Sequence, residues 1–201
     1  MVGMELSFTN IFTFVSYITP FLVAFLLITI GFFNNEPLKS LIYIAGVIIA
    51  IVLGTVFQYS FKQTGTFPRS ATCSVFNWWP ANFVVPSLSS VFLSFSLLYL
   101  FFPMQASNNF NWSLLIFILV LLGIDTSSRL YNHCTTFLGT GLGLLLGGIL
   151  SFGYYAIIKE TQPDLLYFIN SKSSNNVACS KPSKQTFKCS VYKNGKLIKN
   201  L

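Results

Sequence analysis

Five apolar stretches, Ile11–Phe33, Leu41–Phe61, Val84–Phe102, Trp112–Thr126 and Phe137–Ile158, constrain this chain more than any other feature. Crossing a bilayer as a helix takes about 20 apolar residues. Trp112–Thr126 is the short one, and it has to end in protein-lined or interfacial surroundings. Inside lipid an open backbone leaves polar groups unsatisfied, so each stretch is expected to be helical. Composition points the same way. The chain is 53% hydrophobic and 8% charged, with 22 Phe and 9 Tyr, whereas a soluble domain carries about a quarter charged residues. The expected fold is an all-α integral membrane protein, a bundle of about five transmembrane helices with a small C-terminal β-hairpin tail. Glu5 precedes the first stretch, no Lys or Arg does, and the stretch is too long for a cleaved leader, so it reads as a permanent span. Pro20 is expected to kink it.

Two domains follow from the charge distribution: a polytopic transmembrane domain, 1–158, and a basic soluble tail, 159–201. The tail holds eight lysines against Glu160 and Asp164, so most of the net charge of +7 resides there. A solvated face beside a membrane explains such a run better than a nucleic-acid surface, and nucleic acid is not an expected partner. Those lysines favour a cytosolic tail. The tail ends in FKCSVYKNGKLIKNL, with alternation over Phe187–Lys193, the two-residue turn signal Asn194-Gly195, and a return over Lys196–Leu201. A hairpin over 187–201 is marginal by itself, so a protein partner for the tail is expected.

Two spans separate the link Lys62–Phe83 from the link Ser127–Thr136, so both open on one face. Cys73 and Cys134 lie on these links and can pair if that face is oxidising; Cys179 and Cys189 lie in the tail. With one histidine and no C-x-x-C, neither a metal site nor a cofactor is expected. The sequon Asn111-Trp112-Ser113 abuts a span on the side assigned to the cytosol, which argues against glycosylation. In the last span Gly139, Gly143, Gly147 and Ser151 recur every four residues. Small residues on one face admit a second helix closely, and packing within this polytopic chain is expected rather than dimerisation.

The shared face also collects chemistry. Lys62 and Arg69 come from the first link and Arg129 from the second. Pro86-Ser87-Leu88-Ser89-Ser90 opens the third span, and the amides of Ser87, Leu88 and Ser89 at a helix start suit an anion. Fixed cations beside such a terminus would hold a phosphate, with His133 as nucleophile or base. The competing reading makes the cations interfacial anchors and pairs Asp125 with Arg129 one helical turn on.

Three blocks in order resemble the type 2 phosphatidic acid phosphatase / vanadium haloperoxidase superfamily, whose motifs are K-x6-R-P, P-S-G-H and S-R-x5-H-x3-D. KQTGTFPRS keeps Lys62 and Arg69 at the family spacing, with Ser70 in place of proline. PSLS keeps Pro86 and Ser87, and SRLYNH keeps Ser128 and Arg129, followed by a glycine-rich helix. The resemblance covers about 62–151. It implies phosphate ligands at Lys62, Arg69, Ser87 and Arg129. The departures are equally specific. Ser89 stands where the family's acid histidine stands, and Leu88 where its glycine stands. His133 follows Arg129 by four positions instead of six, and the orienting aspartate would fall at Phe137. Asp125 could replace it only if the link folds back.

Losing a general acid costs about 10²–10⁴ in rate. The resemblance therefore implies a degenerate member with little or no catalysis, binding a phosphate headgroup or acting as a membrane scaffold, with membrane lipids and a phosphorylated lipid as partners. One alternative is an active lipid phosphate phosphatase with His133 as nucleophile, Ser89 or water assisting the leaving group, and Asp125 as the candidate orienting carboxylate. The other is an unrelated structural membrane protein whose tail docks a partner.

Overall fold

The computed structural model describes residues 8–61, 85–169, 190–193 and 196–200. It divides into two compact units, Met1–Ile169 and Asn170–Leu201. The first unit contains α1 (Phe8–Phe33), α2 (Pro37–Phe61), α3 (Leu88–Ala106), α4 (Trp112–Tyr131) and α5 (Phe137–Thr161), all long and apolar enough to cross a membrane. In the second unit β1 (Ser190–Lys193) runs antiparallel to β2 (Lys196–Asn200).

The helices depart from the apolar stretches at their ends, because caps rather than hydropathy set where a helix stops. α1 continues through Pro20. α3 starts at Leu88 instead of Val84, with Ser87 as its N-cap behind the Val85–Pro86 peptide. α4 runs to Tyr131, so Asp125 and Arg129 belong to one helix and not to a span and a link. α5 runs to Thr161, and Pro163–Leu165 forms a single 3-10 turn. Leu166 and Tyr167 are buried, so the first unit closes at Ile169 and not at the charge step after Ile158.

α1, α3 and α4 end alike, on a non-glycine residue in the left-handed region: Asn35 (φ 56), Asn108 (φ 52) and His133 (φ 54). In each case the next amide reaches back to a helix carbonyl: Glu36 to Gly31 at 2.9 Å, Asn109 to Met104 at 3.0 Å, Cys134 to Arg129 at 2.8 Å. This closes carbonyls that lipid could not satisfy. Asn tolerates the left-handed region; His is less suited to it.

α3 is the axial element. Of its apolar window 72% is buried, against 28–33% for the other four helices. Those four turn large apolar side chains outward, among them Phe25 (72% exposed), Phe33 (83%) and Leu138 (72%). Such an exterior is stable only against hydrocarbon. Some hydroxyls within the spans bond to their own helix, Thr19 to Val15 O at 2.8 Å and Thr126 to Leu122 O at 2.8 Å, whereas the buried hydroxyls of Ser90, Tyr99, Thr140 and Ser151 have no partner among the described residues.

α3 and α5 run parallel and pack the most closely. The Ser87 amide donates to Gly139 O at 2.9 Å, and Ser94 Oγ donates to Leu144 O at 2.8 Å. The glycine stripe explains the approach. A Cβ on Gly143 would lie 2.7 Å from Ser87 O, and one on Gly147 would collide with the Val91 carbonyl. The stripe is thus used inside the bundle. Further along, Tyr43, Phe95, Tyr99, Tyr154 and Tyr167 form a ring cluster with centroids 5.7–6.2 Å apart.

Gly147→Leu is expected to destabilise the bundle by about 1–3 kcal/mol, since backbone and not a flexible side chain blocks the space. A Cβ on Gly153 meets nothing within 4 Å, so Gly153→Ala is expected to be neutral or slightly stabilising. Thermal unfolding in detergent separates the two, and equal midpoints would refute the close-packing account.

Candidate functional site

One carboxylate gathers the polar chemistry of the bundle. Asp125 is fully buried near the end of α4. Arg129, one turn on, donates through Nε to Asp125 Oδ1 at 2.9 Å and Oδ2 at 3.1 Å. Ser16 of α1 donates to Oδ1 at 3.0 Å, and Ser89 of α3 to Oδ2 at 2.5 Å. Three helices therefore converge on two oxygens. An unpaired carboxylate here would be prohibitively desolvated; a guanidinium and two hydroxyls supply the missing solvation.

Arg129 is only 13% exposed at its side chain, and Nε alone is engaged with the carboxylate. Its terminal nitrogens make no hydrogen bond among the described residues. Arg129 lines a shallow recess of about 10 Å³, room for about one water, with Thr13, Ser16, Tyr17, Ser128, Asn132 and Cys134. The floor is the cap of α4: the Asn132 side chain donates to Ser128 O at 3.0 Å, and the His133 amide to Leu130 O at 3.2 Å.

The residues expected from sequence divide into three groups. Ser89, Asp125 and Arg129 come together directly. Ser87 is buried, but its amide, expected to face an anion, is committed to Gly139 O, because α5 lies over the start of α3. His133 is exposed and occupies the left-handed cap position. Asp125 is filled by Ser16, Ser89 and Arg129, so the carboxylate expected to orient His133 is bonded elsewhere. Phe137, where the family's aspartate would fall, is 80% exposed at the start of α5. Lys62 and Arg69 lie outside the described residues. Cys134 is disulfide-bonded, and the other three cysteines lie outside the described residues. Among the described residues no three metal-ligating side chains cluster.

Sequence reasoning missed the contribution of α1. Thr13, Ser16 and Tyr17 sit three and four residues apart, which places them on one helix face. A polar stripe within an otherwise apolar span was the available signal. Nothing in the sequence said which helix it would meet.

Asp125→Ala leaves a guanidinium without its counter-ion and is expected to cost about 3–5 kcal/mol. Ser16→Ala removes one bond to a charged acceptor and is expected to cost about 1.5–3 kcal/mol. The double change Asp125→Ala/Arg129→Ala is expected to be milder than the sum of the singles. A double-mutant cycle on thermal unfolding checks this, and strict additivity would mean the pair is uncoupled.

Comparison with family models, with characterised proteins and with solved structures gives no match to this chain, so the reading of the site rests on its own geometry.

Proposed function

We propose that this is a multi-pass membrane protein of phosphatidic acid phosphatase-like descent that binds a phosphorylated lipid headgroup at Arg129 and turns it over slowly or not at all. The observation that carries the reading is the state of Arg129. Nε is held by Asp125, while among the described residues the terminal nitrogens make no hydrogen bond, beside a small recess lined with hydroxyl and amide side chains. A guanidinium fixed at one edge presents its other edge to a phosphate with little loss of side-chain freedom. In this reading Lys62 and Arg69 complete the cation set, as the family spacing implies.

Three features argue against efficient hydrolysis. Ser89 directs its proton at a buried carboxylate and so is a poor acid for a leaving group. Asp125 is saturated by other donors. His133 occupies a helix-capping position that glycine fills best. The same reading keeps the tail as a hairpin over 187–201 and places it in the cytosol. The disulfide at Cys134 supports that orientation, because it requires an oxidising environment on the Arg129 face, and the tail follows α5 out of the opposite face.

His133→Gly tests the chemistry cleanly. It removes the imidazole and is expected to keep or raise stability by up to about 1 kcal/mol, since glycine adopts φ 54 without strain. Phosphate release from fluorescent phosphatidic acid by the purified protein is expected to equal that of His133→Gly. Release that both His133→Gly and Arg129→Ala abolish would overturn the inactive reading. For binding, the charge-neutral pair Asp125→Asn/Arg129→Gln is expected to weaken phosphatidic acid retention in native mass spectrometry about tenfold or more. Unchanged retention would remove Arg129 from the site.

Orientation is checked separately. A membrane-impermeant protease added to intact cells is expected to leave the tail uncut, and cleavage there would reverse the topology.

A further inference from the structure

Cys134 is disulfide-bonded, and the chain holds three other cysteines, Cys73, Cys179 and Cys189. Which of them it meets follows from where their segments leave the helices. α1 measures the separation: it is about 39 Å long at 1.5 Å per residue. Near its start the Asn132 side chain donates to Thr13 Oγ1 at 3.4 Å, and Cys134 follows two residues on. Near its other end Tyr167 Oη donates to Leu27 O at 2.8 Å. There Lys39 Nζ, paired with Glu36, also donates to Ile169 O at 3.2 Å. Cys134 and Ile169 therefore lie at opposite ends of the apolar helices.

The membrane excludes the two later cysteines. Cys179 stands ten residues beyond Ile169, at most about 36 Å of fully extended chain, against a hydrocarbon core of about 30 Å. Crossing it would put open backbone groups and Lys172 into lipid. Cys189 would carry Lys172, Lys181, Lys184 and Lys188 across. Cys73 meets no such barrier. It belongs to the link Lys62–Phe83, which follows the end of α2 at Phe61. Gln58 Nε2 donates to Pro86 O at 2.5 Å, so the chain leaves α2 and enters α3 beside one point. The Ser87 amide on Gly139 O holds that point against the first turn of α5, and Cys134 precedes α5 by three residues.

We infer that Cys73 is the partner of Cys134 and that their bond is a redox lock on phosphate binding at Arg129. Cys134 lines the Arg129 recess, and its amide donates to Arg129 O at 2.8 Å. A disulfide holds its two Cα atoms about 4.4–6.8 Å apart, and Arg69 is four residues from Cys73. The closed bond keeps that cation within a few residues' reach of Arg129. Opening it lengthens the tether and lowers the effective concentration of Arg69 at the recess. A dithiol supplies the two electrons and two protons that break the S–S bond, leaving thiols on Cys73 and Cys134 and closing its own disulfide. The pairing stands without the headgroup reading; the lock rests on it.

The full chain is purified in detergent with free thiols blocked, and its peptides are mapped by mass spectrometry without reduction. A Cys73–Cys134 cross-link is expected; a bond from Cys134 to Cys179 or Cys189, or none, would overturn the pairing. Phosphatidic acid retention in native mass spectrometry is expected to fall about tenfold or more on treatment with dithiothreitol. Cys73→Ser is expected to start at the reduced level and to lose the response, and Cys179→Ser/Cys189→Ser to keep it. The parent before and after the dithiol gives the same comparison should Cys73→Ser disturb folding. Equal retention in the two redox states would overturn the lock. A cross-linked parent that retains no phosphatidic acid in either state would refute the headgroup reading and the lock with it, and leave the pairing standing.

Discussion

A carboxylate without access to water has to be solvated by the protein, and the arrangement of this bundle follows from that requirement at Asp125. Its two oxygens collect hydroxyls from α1 and α3 and the guanidinium of α4's next turn. Moving any of the three helices strips a donor from a buried charge. Leaving one partner unpaired costs more than an intact pair contributes, so the network is stronger as a constraint on geometry than as a source of net stability. It also fixes one edge of Arg129.

Shape supplies the second constraint. Lipid gives helices little hydrophobic reason to associate, so close fit has to do so. Gly143 and Gly147 let the backbone of α5 reach that of α3, and the Ser87 amide is satisfied by Gly139 as a result. The same approach closes the start of α3 to an anion. Tight packing and an open helix-terminus site are alternatives at this position, and packing prevails. In the proposed reading an anion on this face is held by side chains, Arg129 foremost, rather than by backbone amides.

The position of His133 illustrates how a residue type can mislead. A lone histidine four residues after an arginine invites a catalytic reading. Its backbone, however, closes the last turn of α4 in the left-handed conformation, as Asn35 and Asn108 close α1 and α3. The Asn pairs at the first two ends carry a readable signal for that cap. Histidine at the third does not, because it is uncommon there.

The sequence by itself determined the number and character of the spans, the common face of the two longer links, and the Asp125–Arg129 spacing. Hydropathy and helix periodicity are local properties, and they are written into consecutive residues. The use of the glycine stripe within the bundle was also legible, since a polytopic chain carries its own partners. Only the tertiary structure decided that α3 is the axial helix, that Ser16 and Ser89 meet at Asp125, and that α5 covers the Ser87 amide. Each depends on which helix faces which, and five helices of similar apolarity offer many such pairings with nothing in their hydropathy to choose among them. The choice rests on a few polar and small side chains whose effect appears only once the helices are side by side.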